Sequence, residues 1–138
     1  MIILHTNVLS ALMHRTVDQR VVSWLDQQPR TSIWITAITL LEVQYGLQIL
    51  ATGKRRSALV GAFDGLLSAI DHLVLPFDEA AAQQAGDLMA SRHKKDRPGD
   101  LRDTMVAGIA LAQHAALATR NTGHFEDLTV AVVNPFTA

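Results

Sequence analysis

A parallel α/β sheet of four or five strands, flanked by helices, is the fold class that the residue pattern predicts. Three observations carry this reading. The opening run Ile2-Ile3-Leu4 is apolar and stops at the polar trio His5-Thr6-Asn7, after which Val8, Leu9, Leu12 and Met13 take up helical spacing. A strand with no polar alternation suits a parallel sheet, whose two faces are both covered. Further short β-type runs then alternate with helical stretches of roughly 10–15 residues, the pattern of successive strand–helix units. Finally, 49% of the 138 residues are apolar, enough for one domain with a real core and too much for a disordered chain.

The elements follow in order. Thr6 or Asn7 is available to cap the first helix. Val17 to Gln28 has helical apolar spacing at Val17, Val21, Val22, Trp24 and Leu25 and is ended by Pro29. Ser32-Ile33-Trp34-Ile35 reads as a strand, and Thr36 or Thr39 caps a helix running to about Leu50, with Gly53 as stop signal. Lys54-Arg55-Arg56 opens another helix, whose apolar face is Leu59, Val60, Phe63, Leu66, Leu67 and Ile70. His72 to Pro76 is a strand, and Asp78 caps an alanine-rich helix from Glu79 to about His93. Arg92 to Gly99 reads as a charged loop. Asp100 to His114 is a helix apolar nearly all round its middle, and is expected to be buried. Leu117-Ala118-Thr119 and Val130 to Val133 are the closing strands.

Composition removes several classes of function. With no cysteine there is no disulfide, thiolate metal site or cysteine nucleophile. No apolar run approaches the ~18 residues of a membrane span, and Met1 leads into the first strand without a basic n-region. A cytoplasmic protein without membrane attachment is the expectation. A net charge of −1 argues against binding nucleic acid by bulk charge and leaves local basic patches.

Chemistry is expected where strands end at the carboxyl edge of the sheet. Glu42 falls inside the stripe Ile38, Leu41, Tyr45, Ile49, which reads as the core-facing side of its helix. A carboxylate there must be paired, hydrogen-bonded or bound to a cation; a capping box Thr39-x-x-Glu42 is the structural alternative. Asp100 and Asp103 lie in the first turn of the buried helix, Asp100 as the expected cap and Asp103 as the better ligand candidate. Thr119 to Asp127 opens on the same edge, where Asn121 can bind a hard cation or orient a water and Arg120 can meet a phosphate. Converging carboxylates without cysteine or a glycine-rich phosphate loop suit Mg²⁺ or Mn²⁺ and hydrolysis of a phosphodiester by metal-activated water. A phosphatase of another α/β family needs a nucleophilic aspartate after the first strand, and none is present.

The arrangement resembles PIN-domain proteins of the VapC type, the toxin half of bacterial toxin–antitoxin pairs. The resemblance spans nearly the whole chain. It rests on Met-Ile-Ile-Leu followed by Thr6-Asn7-Val8-Leu9-Ser10, on Thr36-x-x-x-x-x-Glu42 with Gly46 following, on Asp103-x-x-x-Ala107, and on Ala118-Thr119-Arg120-Asn121-Thr122 before Asn134-Pro135-Phe136. It implies a three-layer PIN-like fold and a Mg²⁺-dependent endoribonuclease, often acting on tRNA, that homodimerises and is neutralised by a small VapB-type antitoxin.

Carried over by position, the family's four acidic places fall on His5, Glu42, Asp103 and Asn121. Asparagine keeps a carbonyl oxygen for a cation or water. Histidine at position 5 replaces an aspartate that is a central metal ligand, and imidazole is a poor partner for Mg²⁺ though tolerable for Mn²⁺. The expectation is an RNase toxin impaired at His5; the rival is a non-catalytic PIN-like module that binds an antitoxin or nucleic acid. RNA contact is expected from Arg120 and from Arg92, Lys94, Lys95 and Arg97, with Lys54, Arg55 and Arg56 as a second patch. His124 is expected at the surface. Trp24, Trp34 and Phe63 are candidates to line a dimer or antitoxin groove.

Overall fold

The computed structural model describes all 138 residues. Five strands, β1 (Ile2–Leu4), β2 (Ile33–Thr36), β3 (Val74–Leu75), β4 (Ala116–Ala118) and β5 (Val132–Val133), form one sheet in the order β3-β2-β1-β4-β5. Every neighbouring pair is parallel, with Leu4 beside Ala118 and Ile3 beside both Trp34 and Leu117. The helices are α1 (Thr6–Met13), α2 (Gln19–Asp26), α3 (Ala37–Gln48), α4 (Lys54–Ala69), α5 (Glu79–Lys94) and α6 (Leu101–Gln113). This is the expected α/β class, with the upper of the two strand numbers.

Alternation along the strands divides the core in two. Ile3 and Leu117 belong to an apolar cluster with Ala81, Leu88, Val106 and Ile109 of α5 and α6. Leu4 and Ala118 belong to a second cluster with Val8, Leu9, Val21, Val43, Leu47 and Phe63 of α1 to α4. The sheet is therefore sandwiched between helical layers. The α5–α6 pair packs unusually close: a Cβ on Gly108 would stand 2.5 Å from the Ala81 carbonyl oxygen and 2.8 Å from Ala85 Cβ. Glycine is required there because the two backbones almost touch.

Several boundaries differ from the sequence reading. The helix expected from Val17 begins at Gln19, capped by Asp18, and the third and fifth strands shrink to two residues each. The charged loop expected from Arg92 begins later, because α5 continues to Lys94. The stripe on α3 is the larger correction. Leu41, Tyr45 and Ile49 are exposed, while Ile38, Thr39, Val43 and Leu47 face the core. Of the aromatic residues proposed for a groove, Phe63 is buried in the core, and Trp34 and Trp24 pack against it half-buried.

Strand order sets where function can sit. The chain moves from β1 outward to β2 and β3, then crosses through α5 and α6 to β4 on the other side of β1. The switch lies between β1 and β4, and an open parallel sheet presents its ligand crevice outside the carboxyl ends of the strands at that point.

Candidate active site

His5 follows the last residue of β1 and Thr119 follows the last residue of β4, side by side at the switch point. The register is closed by the His5 backbone N–H, which donates to the Ala118 carbonyl at 2.9 Å. Both side chains are buried, His5 at 4% exposure and Thr119 at 0%.

The hydrogen bonds around Thr119 assign the tautomer of His5. Thr119 Oγ1 accepts from Asn7 Nδ2 at 3.1 Å and from the Asn121 backbone N–H at 3.1 Å. The amide of Asn7 is itself oriented, because its Oδ1 accepts from the Arg120 N–H at 3.0 Å. With two N–H groups received, the Thr119 hydroxyl donates its proton to His5 Nδ1 at 2.8 Å. The imidazole proton therefore sits on Nε2, which donates to Asp103 Oδ1 at 3.0 Å. The Phe125 ring packs edge-on against the imidazole with centroids 5.3 Å apart.

Asp103 stands in the first turn of α6, where Asp100 is the cap, as expected, and accepts from the Asp103 N–H at 3.1 Å. Its second oxygen lies 3.4 Å from His124 Nδ1. The His5 N–H holds the Asp103 carboxyl below the ordinary carboxylate range against the opposing effect of burial, and His124 adds to the lowering. His124, in the Asn121 loop and expected at the surface with an approach to the site as the alternative, is both exposed and in contact with Asp103.

Glu42 is half-buried and is not part of a capping box, because Thr36 caps α3 through the Thr39 N–H. Its Oε1 accepts from the Thr6 hydroxyl at 2.7 Å, and Thr6 Oγ1 is 3.0 Å from Thr39 Oγ1. Its Oε2 lies 3.7 Å from Arg102 Nη1. The awkwardness seen in the sequence is thus resolved by a hydroxyl chain and an arginine, on the edge rather than the core side of α3.

The remaining candidates separate. Asn121 is exposed, and only its backbone joins the Thr119 network. The Arg120 guanidinium stacks 3.7 Å from the centre of the Phe136 ring. Lys95 lines a cavity of about 420 Å³ in front of Asp103 and His124; Lys94 is exposed outside it. Arg92 corrects the sequence reading: it is 6% exposed, and its Nε and Nη2 each donate to Asp127 at 2.9 Å. Four of its five N–H groups are taken by Asp127, Thr104 and the His124 carbonyl, so it serves the fold rather than the solvent-facing RNA contact expected of it.

No three histidine, aspartate or glutamate side chains come together as a metal-binding group. A hard divalent ion needs several free oxygen donors. Here one Asp103 oxygen receives the His5 proton, the other faces His124, and Glu42 is engaged by Thr6 and Arg102. The residues as they stand do not fit a resident Mg²⁺. They form instead a hydrogen-bonded line Thr119–His5–Asp103–His124. Thr6, Asn7 and Thr119 were missed as site residues, and Arg92 was given another role; the polar trio after β1 and the polar residue in matching register after β4 were the available signals.

Residues 2–130 match the PIN domain family model. The chain is 35% identical over 137 residues to the VapC ribonuclease Y4jK of Sinorhizobium fredii, covering 99% of this chain and 98% of that protein. It is 35% identical over 92 residues to the tRNA(fMet)-specific endonuclease VapC of Shigella flexneri, covering 67% of this chain and 66% of that one. Its fold superposes on FitAcB from Neisseria gonorrhoeae with a TM-score of 0.91 and 31% identity over 100% of both chains. With a family model over almost its whole length and relatives of this likeness, the chain belongs to the PIN-domain family, among the VapC and FitB toxin ribonucleases of toxin–antitoxin systems.

Proposed function

We propose that this chain is an RNase toxin of a toxin–antitoxin pair whose cleavage site is impaired at His5. The single observation that carries this reading is the 3.0 Å bond from His5 Nε2 to Asp103 Oδ1. In the position where the family places a carboxylate, an imidazole covers the oxygen that Asp103 would otherwise turn toward a cation. Replacing His5 by aspartate removes that donor and sets a second carboxylate beside Asp103. The cation expected in that reverted site is Mg²⁺, with Mn²⁺ as the alternative. RNA is the substrate class, tRNA foremost given the Shigella relative, and the cytoplasm is where the chain meets it.

Binding of an antitoxin survives the change at His5 in this reading. A 300 Å³ apolar cavity lined by Leu9, Leu12, Leu25, Ile33, Leu66 and Ile70 lies among α1, α2, β2 and α4, on the face opposite α5 and α6. It suits the apolar side of an antitoxin helix. The exposed face Leu41, Tyr45, Ile49 of α3 suits a second copy of the chain.

The test is RNA cleavage in Mg²⁺ and in Mn²⁺ by this chain, by His5→Asp, and by His5→Asp with Asp103→Ala. Cleavage by the reversion alone supports the reading. Equal cleavage by the unmodified chain removes the impairment. Silence from all three, on every RNA tried, moves the reading to a non-catalytic module that binds its antitoxin or nucleic acid.

A further inference from the structure

Arg92 is the most heavily bonded side chain in the molecule, and nothing in the proposed chemistry uses it. Its Nε and Nη2 form a fork on Asp127 at 2.9 Å each. Nη2 also donates to the His124 carbonyl at 3.0 Å, and Nη1 donates to Thr104 Oγ1 at 3.1 Å. Thr104 passes the connection on, since its hydroxyl donates to the Asp100 carbonyl at 2.8 Å. One guanidinium from the last turn of α5 thus ties together the first turn of α6 and the turn Thr122–Phe125.

These are the two segments that carry the site. Thr104 follows Asp103, and the bonded carbonyl belongs to His124, which touches Asp103 Oδ2. The next residue is Phe125, whose ring packs against the His5 imidazole. Space around the guanidinium is kept by Gly99, where a Cβ would stand 2.7 Å from Nη1. A staple made only for stability could be apolar, since a buried ion pair is replaceable by packed hydrophobic residues of similar volume. What an apolar staple cannot do is fix a backbone carbonyl and a threonine hydroxyl at once. That demands a planar fork of several donors, which arginine has and lysine lacks.

We infer that Arg92 is a positioning residue of the site, clamping the Thr122–Phe125 turn onto α6 so that His124 and Phe125 stand correctly against Asp103 and residue 5. The inference rests on the nuclease reading for its consequence in catalysis, and on geometry alone for the clamp.

Two measurements separate positioning from mere stabilisation, with Leu88→Ala, at a buried residue of the same helix, as a destabilising control. In the chain as it stands, nuclear Overhauser contacts between the His5 and Phe125 rings report the clamp. They are expected to vanish in Arg92→Lys and persist in Leu88→Ala; their persistence in Arg92→Lys overturns the proposal. In the His5→Asp background, Arg92→Lys is expected to lower kcat roughly ten- to hundredfold with KM within about twofold, as a small misplacement of reacting groups does. An equal kcat loss in Leu88→Ala also overturns it. If His5→Asp cleaves no RNA, the nuclease reading fails, and the ring contacts alone decide for or against the clamp.

Discussion

His5 and Asp103, 98 positions apart in sequence, meet at 3.0 Å at the carboxyl edge of the sheet, with the imidazole proton between them. The bond joins β1 to α6 across the topological switch, so it is both a strut and the feature that changes the chemistry. His5→Ala removes the main cause of the low Asp103 carboxyl and leaves a partly buried charge with only the exposed His124 beside it. The expected loss is about 1.5–3 kcal/mol, the range for a hydrogen bond to a charged group, read as a lower urea midpoint at unchanged slope.

Thr119 is expected to tolerate substitution worse than its size suggests. It is fully buried and serves three partners: His5 Nδ1, Asn7 Nδ2 and the Asn121 N–H. Thr119→Val keeps the shape but strands the Asn121 N–H and leaves His5 Nδ1 and Asn7 Nδ2 only each other at 3.2 Å, at about 1–3 kcal/mol for a buried group left without a partner. Thr119→Ser keeps the hydroxyl and should retain most of the stability. Chemical denaturation of the pair distinguishes a bonding role from a packing one.

How far the sequence revealed this depends on the range of the interaction concerned. The apolar run at Ile2 and the helical spacing after Asn7 are local, and so the strand–helix alternation was legible. That His5 and Asp103 share a site was implied by the family resemblance, which sets both among its four acidic positions; of the two, the residue pattern alone placed only His5, in the polar trio after β1, at the sheet edge. Arg92 was misread. It sits among Lys94, Lys95 and Arg97, and only a carboxylate 35 residues away at Asp127 makes its burial possible. The face of α3 was misread for a related reason: apolar residues surround that helix, and Leu41, Tyr45 and Ile49 match a helical stripe as well as Val43 and Leu47 do.

The Arg92–Asp127 pair predicts a pH dependence with a definite sign. The guanidinium holds the Asp127 carboxyl below its ordinary value of 3.8, against burial. A depressed folded value means that the pair's stabilisation is complete above the unfolded carboxylate value and disappears as pH falls through the folded one. Asp127→Asn should therefore melt below the parent chain at neutral pH, and the gap should close in acid. A gap that is constant across thermal melts from neutral to acid pH would place the stabilisation elsewhere.

The outer face of α3 makes the last prediction. Leu41, Tyr45 and Ile49 are 56%, 61% and 66% exposed and repeat every fourth residue, so they form one continuous apolar row along the helix. Single exposed apolar residues are ordinary; a row of three large ones on one helix marks a contact surface. Since the residues needed for folding lie on the opposite side of α3, a charge on this row should spare the fold and disturb only association. If the chain pairs through this row, as proposed, Tyr45→Glu leaves the melting curve at low concentration nearly unchanged and shifts sedimentation from dimer to monomer. Because a symmetric interface meets each residue twice, two like charges face one another in the variant dimer, and Tyr45→Lys should dissociate it equally. A mixture of the two variants should then recover dimer if the two copies of residue 45 oppose each other across the axis. Failure of either variant to change the sedimentation of a dimeric parent would assign the dimer to another face.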